Sequence, residues 1–172
     1  SCYLKKNNAE KALEILDGVL QANPEDTELM YLYALASWCC GRKYTAVKFF
    51  YKVPISSILF SAASYFVSLY HLGRGEFRDA LTKLDYAIAN QPFHYKSSLL
   101  KAYTLLVIGA KDEALTTIQN YLKNNPMDYI GMYMLDEVED SHKHSDLVFS
   151  RKENIYHILA FFDEACDWAR CL

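Results

Sequence analysis

The chain has 172 residues, 52% hydrophobic and 23% charged, which is the composition of a folding sequence and enough length for one sizeable domain or a short array of repeats. A net charge of −3 excludes a general binder of nucleic acid or of acidic membranes, which would carry a basic stripe. No apolar run reaches the length of a bilayer span, because Lys, Arg, Asp or other polar residues interrupt each one.

In chain order, the first landmark is Ala12, and it recurs as Ala46, Ala80 and Ala114, always 34 residues on. An aliphatic residue follows each one (Leu13, Val47, Leu81, Leu115), and a large apolar residue stands one helical turn later (Leu16, Phe50, Leu84, Ile118). Asn7, Gly41, Gly75 and Gly109 precede the four alanines by five residues, and these types tolerate the positive φ of a tight turn. A second small column, Ala34, Ser68 and Ala102, keeps the same period in the preceding helix. Small residues facing one another let two helices approach closely, so each unit reads as helix A, turn, helix B. Pro24, Pro92 and Pro126 close the second helix of a unit. The organisation expected is a partial unit at 1–26, units at 27–60, 61–94 and 95–128, and a divergent remainder at 129–172.

One unit departs from the pattern. In "GRKYTAVKFFYKVP" (41–54) the proline arrives at Pro54, where the period asks for one at the position of Ile58. Helix B of that unit is predicted to stop near Lys52, since proline disfavours helix at the residue before it. Ser56 or Ser57 then caps the next helix early, so that it runs from about Ser57 to Leu72. Such a shift is either a tolerated deviation or a bend in the superhelix that shapes a site.

Beyond Pro126 the period fails. "DYIGMYMLDEVE" (128–139) and "ENIYHILAFFDEACDWARCL" (153–172) are predicted helices, and "DSHKHSDLVFSRK" between them a polar loop. The last helix carries Ile155, Leu159, Phe162, Cys166 and Ala169 on one face, as a cap on the array or as the start of a further repeat. His142 and His144 beside Asp140 and Asp146 read as a solvated loop rather than a metal site.

Catalytic motifs are missing from the sequence: no Gly-rich phosphate loop, HExxH, GxSxG or CxxC pair occurs, and no cofactor or metal is expected. The acidic clusters Glu25/Asp26, Asp112/Glu113 and Asp136/Glu137/Glu139/Asp140 fall at helix ends or on exposed faces. Cys2, Cys39, Cys40, Cys166 and Cys171 show neither zinc nor redox spacing and read as reduced thiols of a cytoplasmic protein. Ser1 is not a natural start, and a longer parent chain is expected.

The 34-residue unit with its small, turn, Ala, large and Pro columns resembles the tetratricopeptide repeat, here in degenerate form, with Met30, Ser64 and Ser98 at the usual Trp or Leu position. The resemblance implies an all-α fold, a right-handed α-α superhelix of antiparallel helix pairs, and a concave face lined by the A helices. The inward positions are then Tyr31, Leu35 and Trp38, next Tyr65, Leu69 and Leu72, and last Leu99, Tyr103 and Leu106. Family members that grip a terminal carboxylate have Lys, Asn and Arg along this stripe, whereas here it is aromatic and aliphatic. An apolar groove suits an amphipathic helix or extended apolar segment of a protein partner, or of another domain of the same chain. The alternatives are that these residues are core between helices, or are covered by the tail. "FFYKVPISSILFSAASYFVSLYHLGRGEFRDALTKLDYAI" and "NPMDYIGMYMLDEV" further resemble the repeat region of large bacterial multidomain proteins. Those carry a domain of unknown function similar to carbohydrate-active β-sandwiches, which implies the non-catalytic part of a larger carbohydrate-active enzyme.

Overall fold

The computed structural model describes residues 2–92 and 94–141. Among them the chain forms eight α-helices, each packed on the next: α1 (Cys2–Ala22), α2 (Thr27–Cys39), α3 (Lys43–Phe50), α4 (Phe60–Gly73), α5 (Phe77–Asn90), α6 (Tyr95–Val107), α7 (Lys111–Asn124) and α8 (Tyr129–Ser141). No helix in this part is long and apolar enough to cross a membrane.

The helix ends follow from local chemistry. Asp26 caps α2, its carboxylate accepting from the backbone N–H groups of Glu28 at 2.9 Å and Leu29 at 3.0 Å. After α2, α4 and α6 the chain turns on Gly41, Gly75 and Gly109, at φ of 77°, 74° and 83°. At the first of these turns Arg42 N donates to Ser37 O at 2.8 Å and Gly41 N to Trp38 O at 2.9 Å. That is the doubly bonded C-terminal turn that a left-handed glycine permits, and the same two bonds recur after α4 and α6. Pro24, Pro92 and Pro126 each lie two residues beyond the end of a helix, at Ala22, Asn90 and Asn124. Asn7 departs from its column: it lies inside α1, and no residue other than glycine has a positive φ among the described residues.

The two small columns meet in the core. Ala46, Ala80 and Ala114 are fully buried, as are Ala34, Ser68 and Ala102. Phe50, Leu84 and Ile118, one turn after the alanines, fill the layer between helix pairs. Ala12, at the open end of the array, is only half-buried.

At Pro54 the structure corrects the predicted boundaries. Helix α3 ends at Phe50, and α4 begins at Phe60 instead of Ser57. Residues 51–59 form successive turns, in which Ser57 N donates to Pro54 O at 2.9 Å and Phe60 N to Ser57 O at 3.1 Å. The Ser57 hydroxyl does accept a local bond, from Leu59 N at 3.1 Å, but it stabilises a turn and not a helix end. Val53 is buried where the lost turn of helix B would have packed.

Helix α8 approaches α7 closely through Gly131, where a Cβ atom would lie 2.9 Å from the Leu122 and Tyr121 side chains. Met134 and Val138 bury the rest of this contact. Asp140 and Ser141, predicted to open the loop, instead end α8; the rest of the predicted loop, with His142 and His144, and the predicted helix at 153–172 lie outside the described residues.

Candidate functional site

The A helices α2, α4 and α6 carry the predicted stripe, and the structure brings all of it together. Trp38, Tyr65, Leu69, Tyr103 and Leu106 belong to one continuous apolar cluster, against which Tyr31 and Leu35 also pack. Tyr65, Leu69, Tyr103 and Leu106 are 2–4% exposed and Trp38 is 3% exposed. Tyr31 and Leu35 are half-buried, at the end of the stripe nearest α1. The stripe is therefore core-like along most of its length and partly open at one end.

Its packing at the α2 end is aromatic. Phe50 of α3 stacks on Phe66 of α4 with centroids 5.0 Å apart and planes 5° from parallel. Trp38 meets Phe66 edge-on at 5.3 Å, and Tyr31 meets Phe50 in the same manner at 5.6 Å. Such pairs contribute beyond their buried area because ring edges and faces carry opposite partial charge. Further along, the Tyr65 ring rests against His94 at 5.6 Å. Burial holds the Tyr31 and Tyr103 hydroxyls protonated, with pKa values pushed up to about 12, so the stripe presents no charge at neutral pH. Burial foremost, with Lys96 adding to it, pushes the His94 imidazole below its ordinary range.

Outside the stripe, the turn between α4 and α5 gathers His71, Glu76 and Asp79, whose ligand atoms lie within 4.8 Å of one another. His71 and Glu76 of the cluster have protein partners, and Asp79 is exposed. His71 Nδ1 is 2.7 Å from Glu76 Oε2, His71 Nε2 is 2.9 Å from the Tyr51 hydroxyl, and Arg74 Nε donates to Glu76 Oε1 at 2.7 Å. Hydrogen bonds from Arg74 and then from His71 hold the half-buried Glu76 carboxyl below the usual range. With both imidazole nitrogens engaged, the group acts as a clasp joining the end of α4 to the turns after α3.

The sequence reading passed over a second apolar surface. Tyr51, Ile55, Ile58 and Tyr86 are exposed around the Pro54 turns and α5, and the Lys83 ammonium sits 4.5 Å from the Tyr51 ring and 5.6 Å from that of Tyr86. The early proline was its only signal, because the 34-residue columns do not include these positions.

The geometry defines a helical repeat array with a continuous apolar inner stripe. The tetratricopeptide repeat family model matches residues 68–133 of the chain. Among solved structures it is similar to the crystal structure of MamA, at a TM-score of 0.70 and 14% identity over 96% of this chain and 92% of that one. A second MamA crystal structure gives a TM-score of 0.69 at 15% identity, covering 96% and 86%. The MamA RS-1 ArsTM double mutant gives 0.68 at 18%, covering 95% and 90%. At these identities the likeness shows the fold, a tetratricopeptide-like solenoid. No curated protein sequence matches the chain.

Proposed function

We propose that the chain is a non-catalytic repeat scaffold of the cytoplasm that binds a protein or peptide segment, or another domain of a longer parent chain, through the apolar stripe of Tyr31, Leu35, Trp38, Tyr65, Leu69, Tyr103 and Leu106. Repeats of this class generally act in protein–protein interaction. The observation that carries the reading is the stripe itself: uncharged, aromatic, and continuous across three A helices. An apolar stripe open to a partner takes the apolar face of an amphipathic helix, read as anchors one turn apart, and Tyr31 and Leu35 are its half-buried end.

Tyr31 and Leu35, being half-buried, are where binding separates from folding. The probe is a fluorescein-labelled synthetic amphipathic helix with Leu and Phe along one face, followed by fluorescence anisotropy. Leu35→Glu is expected to weaken its binding about tenfold, or ~1.4 kcal/mol, while circular dichroism stays unchanged. Equal affinity of the variant and the parent chain would overturn the reading.

A further inference from the structure

Helices α3 and α5 carry a surface that the 34-residue columns do not include. Tyr44, Lys48 and Tyr51 stand four and three residues apart, so they share one face of α3 and its first following turn, and Lys83 and Tyr86 share one face of α5. Lys83 joins the two, its ammonium 4.5 Å from the Tyr51 ring and 5.6 Å from that of Tyr86, while Lys48 lies 4.5 Å from the Tyr44 ring. The three tyrosines still stand half or more exposed, and Ile55 on the adjoining turns is 64% exposed. One helical turn beyond Tyr86, Asn90 donates to Ile55 O and sets that residue beside the end of α5. Exposed apolar groups gathered in this way mark a contact surface, whereas scattered ones do not.

The surface is fixed in place and its charge is one-sided. The Tyr51 hydroxyl is held 2.9 Å from His71 Nε2, and Asn90 Oδ1 accepts from Ser61 Oγ at 3.2 Å, so little freedom is left to lose on binding. Lys48, Lys83 and the neighbouring Lys52 make no ion pair among the described residues. Two carboxylates act on Tyr51, those of Asp79 and Glu76. Glu76 is engaged by Arg74 and His71, which leaves three ammonium groups facing the one exposed carboxylate of Asp79. Ring faces that carry ammonium groups are not open to stacking nucleobases. Their complement is a segment with carboxylates on either side of an apolar anchor.

We propose that this α3–α5 face docks an acidic amphipathic peptide segment of a protein partner, its apolar anchor against Tyr51, Tyr86 and Ile55 and its carboxylates toward Lys48 and Lys83. Unpaired cations at the rim steer such a segment in and select against basic ones. None of these residues belongs to the stripe of Tyr31, Leu35, Trp38, Tyr65, Leu69, Tyr103 and Leu106, so this docking face stands or falls independently of that one.

The test uses the full chain and a fluorescein-labelled synthetic peptide of Glu with Leu and Phe along one face, beside a counterpart with Gln at every Glu position. Fluorescence anisotropy should show the acidic peptide bound several-fold more tightly than the neutral one, with the difference shrinking as salt screens the lysines. Lys48→Glu is expected to weaken binding of the acidic peptide about tenfold and Ile55→Ser several-fold, or ~1.4 kcal/mol for the former. Both side chains are exposed, so circular dichroism and melting temperature should not change. If Lys48→Glu does lower the melting temperature, Ile55→Ser decides alone. Leu35→Glu, in the stripe, should leave the affinity for the acidic peptide unchanged. Equal affinity for the two peptides, or no loss with Lys48→Glu and Ile55→Ser, would overturn the inference. A loss with Leu35→Glu alone would put the peptide on the stripe and overturn it too. So would tighter binding of an oligodeoxythymidine that Lys48→Glu abolishes, which gives the face to nucleic acid. A concentration-dependent dimer in sedimentation that Ile55→Ser abolishes would overturn it by giving the face to a second copy of the chain.

Discussion

Between α3 and α4 the chain uses residues 51–59 as a string of turns, whereas one period later, between α5 and α6, it uses only residues 91–94. The two joints occupy the same place in the repeat and are built differently. Helix α3 has 8 residues against 14 in α5, so it has little length with which to pack. Two features compensate: the Phe50–Phe66 stack and the buried Val53. A long-range bond then fastens the turns, from Asn90 Nδ2 at the end of α5 to Ile55 O at 2.9 Å. The later joint relies on Pro92 to stop α5 and on His94 to enter α6, with His94 Nδ1 2.7 Å from Ser97 Oγ and the ring against Tyr65. A degenerate repeat can thus lose most of two turns of helix and keep its neighbours in register, provided the buried volume is replaced from nearby.

If that account of the joints is right, Phe50→Ala should have the largest effect, about 3–5 kcal/mol, because a short helix loses its main anchor and leaves a cavity beside Trp38 and Phe66. Chemical denaturation followed by circular dichroism checks it, and a loss well under that of Leu84→Ala in α5 would break the comparison.

Ala80→Leu comes next, at about 1–3 kcal/mol, since a fully buried close approach has no room for more atoms. Ala12→Leu, in the same column but half-buried at the end of the array, should change the melting temperature little. Equal losses at the two sites would mean that burial does not follow the column.

Asn90→Ala removes the bond to Ile55 O and the one that Asn90 Oδ1 accepts from Ser61 Oγ at 3.2 Å, and should cost about 0.5–1.5 kcal/mol for each. Hydrogen exchange should quicken in residues 51–59 and leave α6 and α7 unchanged.

The smallest effect expected is pH-dependent and belongs to the later joint. Burial holds His94 neutral in the fold, below its ordinary value of 6.5. Above that pH both folded and unfolded chains carry a neutral ring, and the stability is fully present. As pH falls below it, the unfolded chain takes up a proton that the folded ring resists, so stability declines until the folded ring also protonates. Melting curves of the parent chain and of His94→Asn should diverge only below about pH 6.5, with the variant losing less on acidification.

The sequence by itself determined the all-helical array, its period, the glycine turns and the proline stops. Each of these is a local preference that packing reinforces: positive φ at Gly41, Gly75 and Gly109, and the missing N–H of Pro24, Pro92 and Pro126. It also placed the stripe residues on one face, because the spacing of three and four is a property of any helix. Other features required the tertiary structure. Asn7 has the right residue type for a turn yet lies inside α1, where residue type alone does not break a helix. Pro54 shows where a helix must stop but not where the next begins. Phe60, not Ser57, opens α4, because the intervening turns are held by Val53 in the core and by Asn90 from 35 residues away. The depth of the stripe was equally hidden. The spacing of Tyr31, Leu35, Trp38, Tyr65, Leu69, Tyr103 and Leu106 is alike in every unit, but their exposure runs from half-buried at Tyr31 and Leu35 to nearly nil at Trp38 and along α4 and α6. Periodicity states which residues share a face, and burial depends on what the rest of the chain lays against it.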